Sequence, residues 1–107
     1  MPNKIKDILK KKKKRKIVCL TAYSKNISKI LDKYCDIILV GDSLASVLYG
    51  MKNTHNISVD TIIKHSVSVK KGIKKSLMVV DMPRGSYDNP LQAKKNAKLI
   101  IKKTKCD

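Results

Sequence analysis

Tryptophan and phenylalanine are absent from the 107-residue sequence, and tyrosine occurs four times. Stacking platforms of the kind that single-stranded nucleic-acid binders use are therefore scarce. Arginine is nearly absent too, standing only at Arg15 and Arg84. It is the better residue for bidentate contacts to phosphate or guanine. Cysteine is limited to Cys19, Cys35 and Cys106, an odd number with no CxxC spacing. That gives neither a disulfide framework nor a zinc site, and it fits a reducing cytoplasm. Cys19 and Cys35 lie in or beside apolar runs and are expected to be small core residues. No apolar stretch approaches the ~18 residues that span a bilayer. No apolar segment follows the basic start at signal-peptide distance, so neither membrane insertion nor export is expected.

Positive charge is what the chain has in excess. Lysine and arginine number 25 against 8 acidic residues, a formal net charge of +17. Such a balance first suggests a polyanionic partner, nucleic acid or an acidic membrane surface. Outside Lys10–Lys16, however, the lysines are scattered as single residues and pairs, which suits a solvated surface. A nucleic-acid partner is not the expected one. A small basic nucleic-acid-binding protein acting through Lys10–Lys16 is the alternative reading, marked by a steep salt dependence. The apolar fraction of 42% is that of a globular domain, and the length suits one small domain.

Residues 1–16 read as a basic leader. Ile5, Ile8 and Leu9 have helical spacing, and a solvated charge block follows them. Residues 17–107 then alternate regularly. Ile17–Ala22 (IVCLTA), Ile37–Val40 (IILV) and Leu77–Val80 (LMVV) are short, wholly apolar runs and read as buried strands. Between them, Ile27, Ile30, Leu31 and Tyr34 mark the inner face of one helix over Asn26–Tyr34. Val59, Ile62, Ile63 and Val67 mark a second, capped by Ser58 and stopped at Gly72. Residues 43–57 read as a loop. Asn89 and Pro90 open a third helix with Ala93, Ala97, Ile100 and Ile101 inward, fading near Lys103. Strand–helix, three times over, with strands apolar throughout, is an α/β fold with a parallel sheet covered on both faces. Barrels and doubly wound sheets both begin this way. No GxGxxG or GxxxxGK[ST] follows a strand, which removes support from the common nucleotide-binding versions.

Active sites of such folds lie at the C-terminal ends of the strands. The second strand ends in Asp42 and Ser43, the third in Asp81. Neighbouring strands lie about 4.8 Å apart, so the two carboxylates would converge. Two close carboxylates stay ionised only with positive charge between them. A divalent cation such as Mg²⁺, with oxygen ligands, is the simplest answer and could chelate a 2-oxo acid. The same spacing equally allows each aspartate to cap the helix after it. His55 falls in the long loop and is expected at the surface. His65 falls mid-helix, at the edge of the packed face.

The strings IVCLTAY, ILVGDSLASVLYG, NISVDTIIKHSVSVKKG and MVVDMPRGSY, in this order and spacing, resemble ketopantoate hydroxymethyltransferase from about Lys16 to Asp107. The resemblance implies the first three β/α units of a (β/α)₈ TIM-type barrel, incomplete here. It implies a Mg²⁺-dependent transfer of a hydroxymethyl group from 5,10-methylenetetrahydrofolate to 3-methyl-2-oxobutanoate, giving 2-dehydropantoate for pantothenate and coenzyme A. It also implies a cytoplasmic homo-oligomer, decameric in the family. By motif match, Asp42 and Asp81 resemble metal-binding aspartates, and Asp42, Ser43 and Asp81 resemble contacts to the keto acid. Arg84 stands where the family usually carries an aromatic residue, which bears on the pocket's shape near the third strand. The family's KxEGG string and its general base, a glutamate, are expected beyond Asp107, so no catalytic residue is assigned. A truncated record, a decayed gene product or half of a split enzyme would each explain the length, and negligible activity is expected of the chain alone.

Overall fold

Helix, strand and loop follow from local chemistry in the computed structural model, which describes residues 4–107. Residues 1–3 of the expected leader lie outside the described residues. In chain order the elements are α1 (Lys4–Lys11), β1 (Cys19–Thr21), α2 (Lys25–Leu31), β2 (Ile37–Val40), α3 (Leu44–Val47), α4 (Val59–Gly72), β3 (Leu77–Val80) and α5 (Pro90–Thr104). The strands form one parallel sheet in the order β1-β2-β3. Its register sets Cys19 beside Ile37 and Leu77, and Val40 beside Val80. Two helix starts are fixed as their residues dictate. The Ser58 side chain accepts from the Thr61 amide at 3.1 Å, and Asn89 accepts from the Gln92 amide at 2.8 Å with Pro90 behind it. Such caps satisfy amides that the first helical turn leaves without partners.

The core lies on one face of the sheet. Ile38 and Val40 of β2 and Met78 of β3 are fully buried against Ile62 and Val69 of α4 and against Leu44 and Ala45 of α3. Each such side chain contributes about 1.5–3 kcal/mol by leaving water. The other face alternates with it and is open: Cys19 and Thr21 are exposed, and Val79 is 39% exposed. Apolar runs predict cover on both faces, but the described helices that pack on the sheet lie on one. This corrects the expectation for β1, which is exposed throughout as an edge strand, and for Cys19. Cys35 is buried as expected.

Helix α2 turns differently from its apolar stripe. Ile27, Ile30 and Tyr34 point to solvent, while Ser28 and Asp32 are buried and Leu31 is half-buried. The reason is close packing on α4. A Cβ on Gly72 would lie 2.1 Å from Ser28 Oγ, 2.5 Å from Lys25 O and 2.7 Å from Lys29 N. Only small residues admit two backbones so near, so Gly72 ends its helix as expected but for contact rather than for a left-handed turn. The expected loop over residues 43–57 also contains a helix, α3, because Leu44 and Ala45 reach the core.

Two aspartates staple the N-terminal edge of the sheet. Asp32 accepts from the amides of Lys74 at 2.9 Å, Lys75 at 3.2 Å and Ser76 at 2.8 Å, fixing the chain that enters β3. Asp36 accepts from Val18 N at 2.9 Å and pairs with Lys11 and Arg15. Lys4 donates to Ser76 O at 2.9 Å. The leader is therefore docked under the strands, where the charge run alone suggests a solvated tail. At the other edge of the sheet, Asp107 N donates to Met78 O at 3.1 Å, laying the last residue along β3.

Candidate functional site

The strand tips carry the polar groups. The ladder between β2 and β3 runs one step past the strands, with Asp81 N donating to Val40 O at 3.0 Å. The pleat then turns the Asp81 side chain to the open face, beside Gly41. There a Cβ on Gly41 would come 3.2 Å from Asp81 Oδ2 and 3.4 Å from Ser43 Oγ. With no side chain at Gly41, the Asp81 carboxylate reaches over the tip of β2 and accepts from Asp42 N at 3.3 Å. Asp42, Ser43 and Asp81 thus lie at one corner and are all half-buried.

Neither aspartate opens a helix. Helix α3 has Ser43 at its N-cap position without a side-chain cap bond, and the residue that caps α5 is Asn89. The Ser43 hydroxyl is engaged elsewhere, 2.6 Å from Tyr23 Oη. Tyr23 follows β1 as the aspartates follow their strands, so all three tips contribute. Sequence reasoning passed over Tyr23. Its position just after a strand was the available signal.

Behind Tyr23 stands His65 of α4. Its Nδ1 lies 3.1 Å from Tyr23 O, and its Nε2 lies 2.8 Å from Tyr49 Oη. A carbonyl only accepts, so Nδ1 carries the proton, and in the neutral ring Nε2 accepts from the Tyr49 hydroxyl. The Tyr49 ring meets the imidazole edge-on, with centroids 5.9 Å apart. His65 is thus half-buried and bonded on both sides, at the edge of the packed face. His55 is exposed as expected and accepts at Nδ1 from Arg84 Nη1 at 2.6 Å. Arg84 is likewise exposed, in the turn after β3.

Two carboxylates and a hydroxyl at adjacent strand tips are hard oxygen donors. They suit a cation that takes one or two protein carboxylates and completes its shell with water and substrate oxygens. Among the described residues no group of three or more His, Cys, Asp and Glu side chains is placed to hold a metal ion. At these strand tips the carboxyl-bearing residues are Asp42 and Asp81, joined by the bond from Asp42 N to Asp81 Oδ2. No helix among these residues is long and apolar enough to cross a membrane.

A parallel three-stranded sheet with helices between its strands defines an α/β protein. The chain belongs to the ketopantoate hydroxymethyltransferase family, whose sequence profile matches residues 2–107. The match takes in the basic leader, which lies ahead of the motif strings. The chain is 58% identical over all 107 residues to the 3-methyl-2-oxobutanoate hydroxymethyltransferase of Pelagibacter ubique (strain HTCC1062), covering 42% of that protein. It is 46% identical over 101 residues (94% of this chain) to the enzyme of that name from Chelativorans sp. (strain BNC1), covering 36% of it. With that of Anaplasma marginale (strain Florida) it shares 48% identity over 103 residues (96% of this chain), covering 37%. The chain thus spans about two fifths of these relatives' length.

Proposed function

We propose that this chain forms the keto-acid corner of a ketopantoate hydroxymethyltransferase, acting on 3-methyl-2-oxobutanoate with 5,10-methylenetetrahydrofolate as donor. The single observation carrying this reading is the Asp81 carboxylate lying across Gly41 onto the Asp42 amide at adjacent strand tips. Asp42 and Asp81 would hold Mg²⁺. When bound there, the ion supplies positive charge at the keto oxygen, which acidifies the neighbouring C–H. Ser43, oriented by Tyr23, offers its hydroxyl to the substrate carboxylate. The general base is not assigned to any residue of this chain.

The fold proposed for the complete site is the (β/α)₈ barrel, of which β1 to β3 are three strands. Support comes from the family match, with which the parallel order β1-β2-β3 is compatible, although the first half of a doubly wound sheet shares that order. A cytoplasmic homo-oligomer, decameric as in the family, completes the proposal. Exposed Ile27 and Ile30 are apolar surface available to such contacts. The alternative role for Lys10–Lys16 on nucleic acid loses only part of its charge, because Lys11 and Arg15 pair with Asp36.

The test is Mn²⁺ binding, as a paramagnetic substitute for Mg²⁺, followed by electron paramagnetic resonance on the 107-residue chain. We expect 3-methyl-2-oxobutanoate to tighten it, and Asp42→Asn or Asp81→Asn to abolish that tightening. Binding that ignores both the keto acid and the substitutions would refute the proposed role of the pair.

A further inference from the structure

A second concave site lies at the opposite end of the strands. A cavity of about 740 Å³ opens between α1 and the N-terminal edge of the sheet, lined by seven cationic side chains and two carboxylates. One carboxylate, Asp36, is already paired with Lys11 and Arg15. Lys10, Lys14, Lys33 and Lys75 also line the cavity, and among the described residues none has a carboxylate within ion-pair distance. They come from three separate segments: the end of the leader, the exit of α2 and the turn into β3. Folding therefore gathers them, not one run of charge. Asp32 clamps the backbone at Lys75, and Asp36 ties down the leader that carries Lys10 and Lys14. The second carboxylate, Asp7, offsets part of this charge; the excess that remains repels itself, and an anion that enters relieves the repulsion.

We propose that this cavity is a binding site for a compact polyanion of the oligophosphate class, a nucleoside triphosphate being of suitable size. Its volume falls within the roughly 300–1,000 Å³ of small-molecule sites. Lys10, Lys14, Lys33 and Lys75 hold the phosphates, and the Tyr34 ring, 74% exposed at the rim, lies beside whatever the phosphates carry. Lysines converging on one hollow suit a short polyanion better than a stripe would, and one aromatic ring is a poor platform for a nucleic-acid strand. The site lies a strand's length from Asp42 and Asp81, so its occupant does not compete with a ligand held there.

Isothermal titration of the 107-residue chain at 150 mM NaCl tests this, with inorganic tripolyphosphate, ATP and adenosine as probes. One equivalent of tripolyphosphate and of ATP is expected to bind, and adenosine is not. The variant carrying Lys10→Gln, Lys14→Gln, Lys33→Gln and Lys75→Gln should bind at least tenfold more weakly. A control carrying Lys94→Gln, Lys95→Gln, Lys98→Gln and Lys102→Gln on α5 loses the same charge and should bind within twofold of the parent. Circular dichroism melts establish that both variants fold. Tighter binding of ATP than of tripolyphosphate would place its base on Tyr34, and equal binding would make the phosphate chain the whole ligand. Equal weakening in the two variants, several equivalents bound, no saturable binding, or a duplex oligonucleotide preferred over ATP would each overturn the proposal.

Discussion

The hydroxyl of Tyr23 lies 2.6 Å from that of Ser43, and this one bond joins the tip of β1 to the tip of β2. A serine hydroxyl alone samples three rotamers. The bond selects one, and His65 on the Tyr23 carbonyl steadies the backbone that carries the ring. Tyr23→Phe removes the bond and keeps the packing. A neutral hydrogen bond contributes about 0.5–1.5 kcal/mol, or roughly two- to tenfold in affinity. The keto-acid effect on Mn²⁺ binding should weaken by that factor, while the melting temperature stays within a few degrees. An unchanged keto-acid effect would make the bond merely structural.

Gly41→Ala addresses the other side of the corner. The new Cβ would meet Asp81 Oδ2 at 3.2 Å and Ser43 Oγ at 3.4 Å. Both are the ends of side chains, so the fold can adjust, at about 1 kcal/mol, the low end for overpacking. The adjustment moves the Asp81 carboxylate away from the Asp42 amide. Mn²⁺ affinity should therefore fall well beyond what the small change in urea midpoint accounts for. Retained affinity would show that the carboxylate's reach over Gly41 does not matter.

How much of this was legible in the sequence depends on whether the cause is local. Helix starts at Ser58 and Asn89 could be read because a cap and its amide lie three residues apart. Strands over Ile37–Val40 and Leu77–Val80, and with them the placing of Asp42, Ser43 and Asp81, follow from short apolar runs. The orientation of α2 could not be read, because the apolar stripe Ile27, Ile30 and Tyr34 names a face and not its partner. What turns the helix is the contact of Ser28 with Gly72, 44 positions away along the chain. The docking of the leader was hidden likewise, since a lysine run does not say that Asp36 will meet Lys11 and Arg15.

Asp32 predicts the acid limb of stability. Burial by itself pushes its carboxyl up, but amide bonds from Ser76, Lys74 and Lys75 and the Ser76 hydroxyl outweigh it and hold the group below the ordinary 3.8. Asp36 is lowered as well, first by its bond to Lys11 and then by the Val18 amide. For a carboxyl depressed on folding, the unfolded chain takes up protons first. The stabilisation is therefore whole above the ordinary value and is lost as pH falls through the folded value. Urea midpoints should be flat from pH 7 to about 5 and drop below about pH 4. Asp32→Asn replaces an acceptor-only group by one whose NH₂ faces backbone donors. It should cost roughly 1–3 kcal/mol at pH 7 and flatten the acid limb. An acid limb as steep as the parent's would assign the effect to other groups.

Gly72→Ala tests the helix pair on which α2 and the sheet depend. Its Cβ would sit 2.5 Å from Lys25 O and 2.7 Å from Lys29 N, backbone atoms that cannot rotate away, besides 2.1 Å from Ser28 Oγ. Alanine is ordinarily the better helix residue by about 1 kcal/mol, so any loss is due to contact. The helices must part, which loosens Ser28 Oγ from Val69 O, now 2.8 Å away. Overpacking of this kind costs about 3 kcal/mol or more, a fall in melting temperature of roughly 12 °C or more for a chain this long. Adding Ser28→Ala clears one clash and leaves both backbone clashes, so the double variant should recover little. Gly50→Ala is the contrast: nothing lies within 4 Å of its Cβ, and its φ of +63° costs only about 1–2 kcal/mol. A Gly72→Ala chain as stable as Gly50→Ala would mean that the two helices do not pack through Gly72.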